Sequence, residues 1–145
     1  MARSAAVAAL LASAGVLPAQ AQVAWNRAAF EGKSVDAVIK ALGIAKPVDS
    51  KDIVFTAPDI AENGAVVPIS ASTTLPGVTR IAFLVENNPT TLAGVFDFSD
   101  AVEPQVSTRI KMGQTSSVLA VAILGDGRVL FAQKEVKVTL GGCGG

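Results

Sequence analysis

The chain has 145 residues, enough for one ordinary domain, and its 12 basic and 12 acidic residues cancel. That balance, with no basic block, gives no reason to expect nucleic acid or a membrane surface as a partner. It has no histidine, no tyrosine and a single cysteine, which excludes Ser-His-Asp and Cys-His catalysis, zinc sites that need imidazole, internal disulfides and cysteine clusters.

The two methionines, Met1 and Met112, argue against a thioether-rich copper site. No metal and no resident cofactor is expected. What remains for chemistry is one thiol, some carboxylates, lysine and arginine, so a non-catalytic protein is expected rather than a self-contained enzyme. Half of the residues are hydrophobic, but alanine inflates that figure.

Residues 1–21 read as an export signal peptide. Arg3 gives a positive start, and Ala5 to Leu17 is apolar except at Ser13 and Gly15. Ala19-Gln20-Ala21 is an A-x-A cleavage signature that would leave Gln22 as the mature terminus. The run is too short for a transmembrane helix, which needs about 20 apolar residues. The competing reading is an alanine-rich amphipathic helix kept in the mature protein.

Residues 22–140 read as one domain, a helical segment followed by a β-sandwich. Trp25 to Phe30 and Val35 to Leu42 are predicted helices. Ser34 is the candidate N-cap of the second, Asp36 places negative charge in its first turn, and Gly43 suits the residue just past its end. Val35, Val38, Ile39 and Leu42 form one apolar face, and Lys46-Pro47 stops continuation.

From Asp52 the period changes to that of strands. Strands are predicted at Ile53–Thr56, Val66–Ala71, Thr79–Val85, Gly94–Phe98, Gln105–Met112, Ser117–Leu124 and Val129–Leu140. Turn material separates them at Glu62-Asn63-Gly64, Leu75-Pro76-Gly77, Asn87-Asn88-Pro89, Glu103-Pro104 and Gly125-Asp126-Gly127. Pro68 predicts an edge or bulge for its strand. The Ser107-Arg109-Lys111 face reads as a solvated strand face rather than an anion site. This spacing predicts a mainly β fold, an immunoglobulin-like antiparallel β-sandwich with short N-terminal helices and a flexible C-terminal arm.

That arm is Gly141-Gly142-Cys143-Gly144-Gly145. Average glycine usage is about 7%, so four glycines at these four positions should arise by chance only about twice in 100,000 tries. Chance is therefore a poor account of the tail. Gly141, Gly142, Gly144 and Gly145 have no side chains, which makes the arm thin and its backbone permissive, fit to carry a thiol into a narrow channel. In the preceding strand Val136, Val138 and Leu140 are expected on the buried face and Lys137 and Thr139 on the other, so the arm leaves directly from a sheet. Gly141 to Cys143 can span about 10 Å when extended. The Cys143 thiol has no histidine to activate it, and the α-carboxylate of Gly145 disfavours a thiolate, so activation must come from partners.

A terminal GGCGG after Glu135-Val136-Lys137-Val138-Thr139-Leu140 resembles the SoxY family, the sulfur-carrier subunits of the periplasmic sulfur-oxidising (Sox) system. Glu62-Asn63-Gly64-Ala65-Val66-Val67-Pro68 and Ser107-Thr108-Arg109-Ile110-Lys111-Met112-Gly113 resemble the same family. The resemblance implies a sulfur carrier of thiosulfate oxidation with Cys143 as the covalent attachment site, carrying S-thiosulfonate, persulfide and S-sulfonate intermediates. It implies a SoxZ partner subunit, a thiosulfate-conjugating cytochrome, a sulfate-releasing hydrolase and a sulfane dehydrogenase, all in the periplasm. The family typically uses twin-arginine export. Arg3 stands alone here, so either the general secretory route or a start upstream of Met1 is expected.

Two alternatives stay open. Gly144-Gly145 would also fit a sulfur carrier activated at its terminal carboxylate, a cytoplasmic chemistry that the leader argues against. An Ig-like structural module would use the lone thiol for an intermolecular disulfide. A Cys143-linked dimer of carriers is also expected in an oxidising compartment.

Overall fold

The computed structural model describes residues 28–99 and 102–140. The predicted signal peptide, Trp25 to Arg27 of the first predicted helix, and the GGCGG arm lie outside the described residues. Residues 28–31 are helical, and α1 spans Val35–Leu42. Ser34 caps α1 by accepting the Ala37 N–H at 3.1 Å. Gly43 ends it at φ 66°, a left-handed conformation that favours glycine, and the Ile44 N–H reaches back to the Ile39 carbonyl. Both limits match those predicted from the sequence.

Among the described residues nine strands follow: β1 (Val48–Asp49), β2 (Ile53–Thr56), β3 (Ile60–Ala61), β4 (Val67–Thr73), β5 (Val78–Val85), β6 (Leu92–Asp97), β7 (Gln105–Ile110), β8 (Ser116–Leu124) and β9 (Val129–Val138). They build two sheets. The larger has the order β1-β9-β8-β5-β6, with β3 also paired to β9, and the smaller has the order β2-β4-β7. Packed face to face, they form the expected sandwich.

The pairing is antiparallel except at β1 and β3. Val48 lies beside Leu130 and Ile60 beside Lys137, both parallel to β9. These two strands are the elements the sequence did not suggest, because two residues show no alternation. The chain touches β9 at β1, crosses to the small sheet as β2, and returns to β9 at β3. Pro68 sits in β4, the middle strand of its sheet. However, β2 pairs only with residues 70–73 of β4, so Pro68 has a neighbour on one side alone, Arg109. Its missing N–H removes no ladder bond on the open side.

The core is double. Between the sheets, Ile69, Ala71, Ile81, Phe83, Val85, Val106, Val118, Ala120 and Val136 are buried together. Phe83 is the largest, with its ring centroid 6.1 Å from that of Phe55 and 6.0 Å from that of Phe96, the latter edge-on. On the other side of the large sheet, Val38 and Leu42 of α1 and Ala29 cover Ala82, Leu84, Leu119, Val121 and Val129. β5 and β8 are therefore buried on both faces. This accounts for the unbroken apolar runs Ile81–Val85 and Val118–Leu124, which a strand with one wet face does not need.

Candidate functional site

β8 and β9 form a hairpin closed by Gly125-Asp126-Gly127, with Gly127 at φ 97° and the Leu124 N–H bonded to the Arg128 carbonyl at 2.9 Å. The Asp126 carboxylate accepts the Arg128 backbone N–H at 3.0 Å and its Nε at 2.8 Å. β9 leaves this turn, pairs with β8 along its length, and ends at Val138, two residues before the last described residue. Val136 is buried, Val138 packs against the inter-sheet core, and Lys137 and Thr139 are exposed, as the alternation predicts. Leu140 departs from it and is 64% exposed, because no small-sheet strand extends that far.

The backbone nonetheless stays tied to its neighbours up to Leu140. The Lys137 N–H donates to the Asp59 carbonyl at 3.0 Å, and the Thr139 N–H to the Ala61 carbonyl at 3.1 Å. On the other side the Val138 N–H donates to the Thr115 hydroxyl at 3.0 Å. The Leu140 carbonyl accepts the Gly64 N–H at 2.7 Å. Gly64, itself buried, uses its own carbonyl to accept the Met112 N–H at 2.6 Å. One residue thus bridges Leu140, two residues past β9, to Met112, two residues past β7.

Two loops brace this junction. Asn63 holds its turn by accepting the Ala65 N–H on Oδ1 at 3.0 Å. Asn88 donates through Nδ2 to the Lys111 carbonyl at 2.6 Å and accepts the Gly113 N–H at 3.1 Å. Asn87 donates to the Thr115 carbonyl at 3.0 Å. The sequence marks 62–64 and 87–89 as turns, but nothing in it places both against residues 111–115, which lie far from them in the chain.

Around the junction, Ile60, Val66 and Leu140 are large apolar side chains left exposed, with the charges of Glu62, Lys111 and Lys137 among them. Among the described residues, no group of three or more metal-ligating side chains comes together. Cys143 and the four arm glycines lie outside the described residues, one to five positions beyond Leu140.

A family model described as "Sulfur oxidation protein SoxY" matches residues 38–143. The chain belongs to the SoxY family. The match runs from α1 through both sheets and reaches the cysteine. Among solved structures, the sulfur carrier protein SoxY from Chlorobium limicola f thiosulfatophilum is similar, with 36% identity and a TM-score of 0.64 over 72% of this chain and 94% of that one. Superoxide reductase (neelaredoxin) from Ignicoccus hospitalis is also similar, with 20% identity and a TM-score of 0.52 over 59% of this chain and 79% of that one. That second likeness concerns the fold alone, and this chain has no histidine. No curated protein matches the chain.

The two internal stretches that resemble SoxY meet in the fold. Residues 62–68 supply the Gly64 bridge and enter β4; residues 107–113 supply the last four residues of β7 and the Met112 end of the same bridge. Both therefore serve the junction from which the SoxY tail departs.

Proposed function

We propose that this SoxY chain is the sulfur carrier of a periplasmic thiosulfate-oxidising system, holding each intermediate covalently on Cys143 and presenting it to partner enzymes. The observation that carries this reading is the family match, which extends to the cysteine of the GGCGG tail. The tied backbone up to Leu140 supports it, because a rigid root makes the short arm's reach defined.

The chemistry balances with the partners supplying electrons' sinks and activation. A cytochrome partner removes two electrons as the thiolate and thiosulfate join, forming the S–S bond of a cysteine S-thiosulfonate. A hydrolase adds water across the terminal S–S bond, releasing sulfate and two protons and leaving a persulfide. A dehydrogenase adds three waters' oxygens to the outer sulfur while removing six electrons and six protons. A second hydrolysis releases sulfate and returns the thiolate. The protein itself contributes the thiol and its placement, and a SoxZ subunit is the proposed constant partner.

Cys143→Ser tests this directly. Turnover in a reconstituted system should vanish, while stability changes by less than about 0.5 kcal/mol, since a terminal site beyond the sheets adds little packing. Intact-mass and peptide mapping of protein purified from its source should locate sulfur on Cys143. Full turnover by the serine variant, or sulfur on the Gly145 carboxylate instead, would overturn the proposal.

A further inference from the structure

β2, β4 and β7 turn alternate side chains away from the inter-sheet core. Their register sets Thr56 beside Ser70 and Ser70 beside Ser107, so three hydroxyls form one row across three strands. The neighbouring pair is Pro68 with Arg109. These five residues, with Pro58 at one side, line an open groove of about 790 Å³ that no carboxylate enters.

The groove's donors are unclaimed. The three ion pairs among the described residues take up Arg80, Arg128 and Lys134, and Arg109 stands outside them. Among the described residues, neither its guanidinium nor the hydroxyls of Thr56, Ser70 and Ser107 has a hydrogen-bond partner. A guanidinium fork matches two oxygens of a tetrahedral oxyanion, and hydroxyls can donate to the others. The Ser107-Arg109-Lys111 stretch alone reads as a solvated face; the fold adds Ser70 and Thr56 from two other strands.

The groove is also connected to the root of the arm. From Arg109, near the end of β7, the chain leads in three residues, at most about 10 Å, to Met112, which the Gly64 bridge joins to Leu140. Cys143 is three residues past Leu140, again about 10 Å when extended. The Gly64 bridge thus links the segment that carries Arg109 to Leu140, the last described residue before the arm.

We propose that this groove is a subsite for the –SO3 group of a sulfur oxyanion, either free thiosulfate or sulfate, or the sulfonate end of an adduct on Cys143. The choice of sulfur oxyanions over other tetrahedral anions rests on the carrier reading. Because Arg109 is exposed, the free ion binds in about the millimolar range.

The test follows the amide resonances of Ser70, Ser107 and Arg109 in the full mature chain. In one arm, Cys143→Ser is titrated with sodium thiosulfate, and separately with sodium sulfate, at ionic strength fixed with sodium chloride. In the other, wild type is loaded with tetrathionate: the Sγ thiolate attacks a central sulfur, forms the S-thiosulfonate Sγ–S–SO3, and expels thiosulfate. Saturable shifts in the first arm identify the free ion as ligand; shifts confined to the loaded chain identify the carried sulfonate. Either should weaken at least tenfold in Arg109→Gln. No saturable shift in either arm, shifts that chloride reproduces, or shifts unchanged in Arg109→Gln overturn the proposal. A cysteine that accepts no adduct counts against the carrier reading and leaves the first arm to decide the subsite.

Discussion

Asp126 shows how one side chain holds a hairpin. Its carboxyl lies below its ordinary value of 3.8, first because the Arg128 backbone N–H binds the charged form, and second because the Arg128 side chain does. A depressed carboxylate stabilises the fold above the unfolded value, and that contribution is lost as pH falls through the folded one. The hairpin should therefore keep the full effect above about pH 5 and lose it progressively in stronger acid. A carboxyl-carbon NMR titration should give Asp126 a midpoint below 3.8 in the folded chain, moving only part of the way back in Arg128→Ala, which keeps the backbone N–H. A midpoint at or above the ordinary value would mean that the turn does not hold the carboxylate in solution.

At the scale of elements, the end of β9 is secured by side-chain and loop contacts rather than by a full-length neighbouring strand. Thr115→Val removes the hydroxyl that accepts the Val138 N–H while keeping the side-chain shape. It should cost about 0.5–1.5 kcal/mol, the net worth of one hydrogen bond. The Val138 amide should exchange faster with solvent than in wild type, and partner-dependent turnover should fall because the arm's root loosens. Unchanged exchange at Val138 would show that the hydroxyl is not what holds the strand end.

The same elements show what was legible beforehand. α1 could be read to its limits because cap, apolar face and terminal glycine all sit within ten residues of one another. The seven longer strands could be read from their runs and turns, with ends shifted by one or two residues at most sites. β1 and β3 could not, since their pairing with β9 is a fact about the last strand. Nor could the exposure of Leu140, because alternation says which way a side chain points and not whether anything lies opposite it. The tail was conspicuous in composition, whereas its foundation at Gly64, Thr115 and Asn88 depended on contacts between distant segments.

For the molecule as a whole, the proposed division of labour is a rigid body with a thin thiol carrier. Gly142→Val and Gly144→Val test the need for thinness, since each adds a β-branched side chain and restricts the backbone. Folding and alkylation of Cys143 by a small reagent should stay near wild type. Turnover by partner enzymes should fall, and more for Gly142→Val, which lies between the sheet and the thiol. If both variants turn over at the wild-type rate, a narrow entry channel is not what the glycines serve.

β9 also decides when the body can exist at all. It is the partner of β8, of β1 through Val48 and Leu130, and of β3 through Ile60 and Lys137. Until residue 138 has been made, β1 and β3 have nothing to pair with and β8 has one bare side. Such distant pairings make the closing step late and comparatively slow. Cys143 follows the end of β9 by only five residues, so the strand that completes the sheet and the thiol become available to the fold together.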